Sequence, residues 1–372
     1  MKNKLVYMDI AKGLGIIAVV IGHAGAPSFI TNFIYLFHIP LFFFISGYFW
    51  KDSYLVDIGS SILNRIRRLY VSYVTWGILF VVLHNIFIKV SVYSTSPLTT
   101  PFGVINPQDN YNQKLFITEI YKRLMMNASV DPLFGAAWFL SALLSVFIIF
   151  TGISYISKGR SELVRTTITA LVFLSGFLLM WNNIFLEYYM TIVFVAVGIF
   201  YLGFVYKKFQ TSIPLSLIIS IVLFTLLLTL QLGFHLVIRL DSSLLFTSPL
   251  VLLIASLSGI YITLYTSKLL EKVKYVSRFL TYIGNNTITI LMLHLLAFKI
   301  VSLVLIETYG YPMAYLASFP VLISNRYMWI IYSAVGVMAP LFVGFLINYT
   351  KKRIKYFKIP KIRNSLKSNS II

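Results

Sequence analysis

Residues 8–26, MDIAKGLGIIAVVIGHAGA, and residues 30–49, ITNFIYLFHIPLFFFISGYF, decide the fold class. Each is about twenty residues long and nearly all apolar, enough at the 1.5 Å rise of an α-helix to cross the roughly 30 Å hydrocarbon core of a bilayer. Further stretches of the same kind follow near 69–91, 133–157, 164–181, 188–206, 213–234, 243–267, 280–306 and 328–350. None alternates polar and apolar residues over the length a membrane barrel needs, so strands are not expected. The pattern predicts an all-α, polytopic membrane helical bundle of about ten transmembrane helices.

Composition points the same way. Of 372 residues, 59% are hydrophobic and 11% charged, and the mean hydropathy is +0.86. A soluble chain carries about 25% charged residues. The net charge of +20 raises the question of nucleic acid. The basic residues, however, flank the apolar runs and do not form one soluble surface, so nucleic acid is not an expected partner. Lys2, Lys4 and Lys12, then Lys51, Arg65, Arg67 and Arg68, then Lys158, Arg160 and Arg165 fall on one side. Alternate loops hold far fewer, among them Lys114, Lys122, Arg123, Arg239 and Arg326. This bias predicts cytoplasmic N- and C-termini. It also divides the chain into a transmembrane domain, 1–350, and a basic cytoplasmic tail, 351–372, suited to lie against anionic lipid. Oligomeric state is not encoded in any pattern here, and a homo-oligomer is compatible with it.

Cysteine is absent, which removes disulfides, a thiolate nucleophile and cysteine metal ligation from consideration. No His-Glu-x-x-His, phosphate loop or Gly-x-Ser-x-Gly elbow is present, and no metal is expected. The N-terminus imitates a signal peptide, with Ala24-Gly25-Ala26 after an apolar run. Asp9 and Lys12 interrupt that pattern, so the run is read as a retained first span.

Within apolar spans the ionisable residues are the informative ones, since each costs roughly 2.5–3.5 kcal/mol at a helix centre and faces a partner or cavity. From Lys12 to His23 is eleven helical steps, about 20° beyond three full turns, so both lie on one stripe roughly 16 Å apart. Asp9 is placed to pair with Lys12. The plainer reading of the same stripe is a snorkelling lysine and a headgroup histidine. His38, in the inward-running second span, comes to the same outer depth as His23, and Pro40 is expected to kink that helix. Arg65, Arg67 and Arg68 precede the third span on the inner side, where a guanidinium fork suits phosphate. His294 reads as buried in the ninth span. His84 with Asn85, and His235 with Arg239 and Asp241, read as interfacial. Trp138 opens the fourth span at the outer side. The 92–132 loop is long enough to be functional.

Taken in order, Tyr7-Met8-Asp9-Ile10-Ala11-Lys12-Gly13 through Gly22-His23, Phe37-His38-Ile39-Pro40-Leu41-Phe42-Phe43 with Ser46-Gly47-Tyr48, Arg65-Ile66-Arg67-Arg68, Trp138-Phe139-Leu140, and Gly284-Asn285-Asn286-Thr287 with His294 resemble the acyltransferase 3 family. The likeness is to its fucose 4-O-acetylase-like bacterial branch. It implies a multi-pass enzyme of a bacterial cell membrane that moves an acyl group, usually acetyl, from cytoplasmic acetyl-CoA to a hydroxyl of a surface glycan. The resemblance carries over His23 as the catalytic histidine and Lys12 as its basic partner. It also makes Arg65 and Arg68 donor-site residues, with His38, Trp138 and His294 around the reaction. Lysine where many relatives have arginine keeps the charge at position 12 and loses bidentate geometry. Many members of the family carry a fused esterase-like domain, and none is expected from this sequence. The competing expectation is a glycan or lipid-linked sugar transporter in which His and Lys relay protons.

Overall fold

The computed structural model describes residues 5–127, 131–233, 248–324 and 327–357. Lys2, Lys4, His235, Arg239, Asp241, Arg326 and residues 358–372 of the basic tail lie outside them. The described chain is a helical bundle: α1 Val6–His23, α2 Ser28–Tyr35, α3 His38–Tyr48, α4 Ile58–Lys89, α5 Gln113–Leu124, α6 Trp138–Ile156, α7 Glu162–Trp181, α8 Met190–Phe209, α9 Leu217–Leu228, α10 Pro249–Leu270, α11 Lys274–Asn285, α12 Thr287–Tyr309 and α13 Met328–Phe357. Among the described residues nine helical stretches are long and apolar enough to cross a membrane, with Leu217–Gly233 a shorter tenth. By the charge bias of the loops, the end that carries Lys12, Arg65 and Arg68 is the inner one.

Three boundaries differ from the sequence reading, each for a physical reason. The third helix begins at Ile58, well before the expected start of its apolar run at 69, so Arg65, Arg67 and Arg68 lie within α4 and do not precede it. Asp57 caps its first turn, accepting from the Ser60 amide at 3.0 Å and the Ser60 hydroxyl at 2.6 Å. The expected 280–306 span is split at Asn286. Its first part, α11, presents Tyr275, Phe279 and Tyr282 outward while Ser277, Leu280 and Ile283 are buried, the habit of an interfacial helix. The second span breaks at Phe37, which leaves helical geometry at φ −144°. Pro40 has no N–H for the carbonyl of Leu36, and Ser256 Oγ donates to that oxygen at 3.3 Å instead.

Two close helix contacts align the bundle. Gly47 on α3 lies against the Phe200 backbone of α8, and Gly203 on α8 against that of Phe44. Gly13 on α1 and Gly284 on α11 meet Leu280 and Asp9 in the same reciprocal way. A side chain at any of the four would collide with a carbonyl, which is how small residues let membrane helices pack closely.

The outer loop adds a short hairpin to the helical fold and corrects one expectation. A hairpin of β1 Leu98–Thr100 and β2 Gly103–Ile105 forms there, antiparallel with Leu98 opposite Ile105. His84 is buried, not interfacial. It stacks on Tyr111 at 3.6 Å and bonds through Nε2 to the Asp109 carbonyl at 2.9 Å, while Asn85 clasps the Tyr111 backbone.

Candidate active site

Helix α1 sets the axis of the site. Lys12, Ile16, Val19 and His23 stand at i, i+4, i+7 and i+11, so one stripe of the helix carries a cation, two aliphatic side chains and an imidazole. Lys12 Nζ pairs with Asp9 at 2.6 Å, with both groups on the inner part of the stripe. Lys12, Ile16 and Val19 line an inner cavity of about 180 Å³ together with Ser46, Arg65, Arg68 and Thr287. Val19 and His23 line an outer cavity of about 710 Å³ together with Asn32, Tyr35, His38 and Trp138. Val19, Ile39, Phe139 and Leu291 belong to both linings, so the two cavities meet at an apolar collar contributed by α1, α3, α6 and α12.

The inner cavity is basic. Arg65 is half-buried, its Nη2 donating to Ser46 Oγ at 2.5 Å and its guanidinium lying 5.1 Å over the Phe147 ring. Arg68, one turn nearer the outer side and on the same face, is more exposed. The split at Asn286 brings Thr287, the first residue of α12, to this cavity. A cation pair beside hydroxyl donors suits phosphate or a polarised carbonyl.

Around the outer cavity the imidazoles have distinct roles. His38 is buried, and its Nδ1–H donates to the Ile34 carbonyl at 2.9 Å. That bond closes the gap left where α2 ends, and sets the tautomer. Tyr35 packs on the His38 ring at 5.0 Å and donates to the Gly22 carbonyl at 2.9 Å, tying α2 to the end of α1 beside His23. His294 does not line the cavity. It is fully buried behind His23, ring to ring at 5.3 Å, with Nδ1–H shared between the Ile290 and Leu291 carbonyls at 3.0 and 2.9 Å. Those bonds put a proton on Nδ1 and fix the ring's orientation, while Nε2 has no hydrogen-bond partner among the described residues. Trp138 sits on the cavity surface with its ring 5.1 Å from that of Tyr189.

Trp138 is placed by a buried charge network that sequence reasoning missed. Asp131 caps the turn Pro132–Ala137, accepting from the Leu133 and Phe134 amides at 3.0 and 3.3 Å, and this turn runs directly into Trp138. Tyr93 donates to the same carboxylate at 2.5 Å. Arg123, fully buried, lies between Glu119 at 3.4 Å and Asp131 at 4.0 Å and donates to the Asn127 carbonyl at 2.7 Å. Burial, and then the Asp131 charge, push the Tyr93 phenol well above its usual range, so it stays a donor. The i, i+4 spacing of Glu119 and Arg123 was the available signal, but nothing in the sequence ties that pair to Asp131.

The sequence pattern of an acyltransferase domain matches residues 5–349. The chain belongs to the acyltransferase 3 family. Searches of curated proteins and of solved structures each return no match. Membership makes this a multi-pass membrane acyltransferase, and nearly every element described above lies within the matched region. Of the family-like motifs, Lys12 with His23, the His38 segment, the arginine pair and the Trp138 segment all contribute to one of the two joined cavities.

Proposed function

We propose that this acyltransferase carries an acyl group, acetyl in the simplest case, from cytoplasmic acyl-CoA to a hydroxyl of an extracytoplasmic glycan, as in the fucose 4-O-acetylase-like branch. The observation that supports this most is the shared collar: a basic inner cavity and a histidine-lined outer cavity meet at Val19, Ile39, Phe139 and Leu291. Donor and acceptor on opposite sides of a bilayer require such a meeting point.

The residues fit an acyl thioester. Arg65, Arg68 and Lys12 present cations at the inner mouth for the phosphates of the coenzyme, while Ser46 and Thr287 offer hydroxyls. A cavity of about 180 Å³ takes a thioester arm and leaves the nucleotide at the inner surface. The collar is apolar, which suits the acyl group and excludes water from the thioester. His23, on the outer side of the collar, takes the proton of the sugar hydroxyl. The alkoxide oxygen then attacks the thioester carbonyl, the C–S bond breaks, and the thiolate leaves with the proton from His23. Direct transfer is balanced in this form and needs no further reactant. Asn32 and Trp138 bring N–H donors to the outer cavity, where the carbonyl oxygen of the tetrahedral intermediate gathers charge. His294 backs the His23 ring and limits its rotation.

Membrane vesicles given acetyl-labelled acetyl-CoA on the inner side and glycan on the outer side test the reading. Label is expected in the glycan with the parent protein and absent with His23→Ala, with both proteins inserted to the same level. Labelled glycan from His23→Ala at the parent rate would overturn the role of His23. Movement of unlabelled sugar across the vesicle, without acylation, would favour the transporter.

A further inference from the structure

Lys299 is buried in α12, five residues beyond His294, and plays no part in the mechanism above. Its Nζ donates to the carbonyls of Leu316 at 3.0 Å and Ser318 at 2.6 Å. These oxygens close the 3₁₀ turn Met313–Ala317, whose last carbonyls have no partner within the turn. A cation is favoured at that end of a helical turn. Among the described residues its bonds go to backbone carbonyls and not to a carboxylate, so the lysine serves this segment and not an ion pair.

The chain leaves this clamp straight into the outer cavity: Phe319 and Pro320 form part of its wall, and Ser324 just beyond them donates to the Gly25 carbonyl at the end of α1 at 2.9 Å. Phe319 also lines a second cavity, of about 90 Å³, behind the wall, where Lys299, Asn106 and Gln108 lie. There is therefore room for the wall to retreat once released. Lys299 stands about 7.5 Å along α12 from His294, the residue that backs His23. One helix thus carries both the support of the imidazole and the anchor of the Phe319–Pro320 wall.

We propose that Lys299 is a positioning residue that sets the width of the acceptor cavity by holding Leu316–Ser318, and through them Phe319 and Pro320. The structural part of this stands alone, and its consequence for the acceptor rests on the function proposed above.

The absence of cysteine makes a direct test available. Ala317 is buried, and Ala317→Cys gives a single thiol next to the clamp. Its modification by a membrane-impermeant maleimide added outside is expected to be slow in the parent and at least tenfold faster with Lys299→Met. In the same variant the acceptor KM is expected to rise at least fivefold, with kcat and the donor KM within twofold. Unchanged labelling in inserted Lys299→Met protein overturns the clamp. Faster labelling with an unchanged acceptor KM overturns the role in acceptor binding. A parent that transfers no acyl group sinks the proposed function instead, and the labelling rates then decide the clamp alone. Should Lys299→Met fail to insert, Lys299→Arg decides: the charge remains but the longer planar head displaces the carbonyls. A raised acceptor KM with labelling kept slow supports the proposal, and parent values for both overturn it.

Discussion

Val19→Phe tests the collar directly. Val19 is 3% exposed, one helical turn inward of His23, and contributes to both cavities. Its added ring has Ile39, Phe139 and Leu291 as neighbours across the collar, of which Phe139 and Leu291 are themselves buried. The passage then opens only when those side chains leave their preferred rotamers, which costs about 1–3 kcal/mol in a packed interior. At 1.36 kcal/mol per tenfold in rate, kcat/KM for transfer falls by about 5- to 150-fold. The side chains of His23, Arg65, Arg68, Phe319 and Pro320 are untouched by this change. Donor binding at the inner surface and thermal stability in detergent are therefore expected to stay near parental values, apart from the strain itself. The assay is label transfer in vesicles beside a Tm measurement, run with acetyl and longer acyl donors, since a narrowed collar penalises the longer chains more. A folded Val19→Phe protein that transfers acetyl and longer groups at parental rates would refute the idea that the acyl group passes between these four residues.

Arg65→Met removes the guanidinium at the inner mouth, where a charge-assisted hydrogen bond is worth about 1.5–3 kcal/mol. The donor KM is expected to rise about 10- to 150-fold with a smaller change in kcat, measured by varying acetyl-CoA at saturating acceptor, and Arg65→Lys is expected to fall between. At the outer loop, the raised pKa of Tyr93 makes its folded form hold the proton more tightly than the unfolded chain does. That stabilisation is fully present below the unfolded phenol value of about 10 and is lost as pH rises above it. Tyr93→Phe is expected to lower Tm at pH 7 by removing the bond to Asp131, and to flatten the decline of Tm above pH 10. A parent whose Tm does not fall faster than that of Tyr93→Phe in this alkaline window contradicts the assignment.

Much of the site was legible because α1 is a regular helix. The period of 3.6 residues places Lys12 and His23 on one stripe without any knowledge of neighbours, and the structure places the two at adjoining cavities. The arginines were legible as inner charges, but their place within α4 was not: apolar patterning stops at the membrane boundary, while the helix continues into water from its Asp57 cap. His294 was read as buried, and its contact with His23 depends on how α12 packs against α1, which no local pattern specifies. Arg123 was legible only as a loop charge, and no local pattern marks Asp131 or Lys299, because their partners lie on segments remote in sequence or are backbone carbonyls.

Composition and period alone determined that the chain crosses a membrane repeatedly as helices, since a backbone in hydrocarbon must satisfy its own hydrogen bonds and this chain has the apolar runs to do so. They also determined which faces carry the costly polar groups. Tertiary structure decided which of those faces meet. The reciprocal glycine contacts of α3 with α8 and of α1 with α11 set helix distances through backbone approach, and the breaks at Phe37 and Asn286 turn His38 and Thr287 toward the cavities. The collar exists because four side chains from four helices converge. Such convergence is a property of packing between segments and leaves no periodic trace in any one of them.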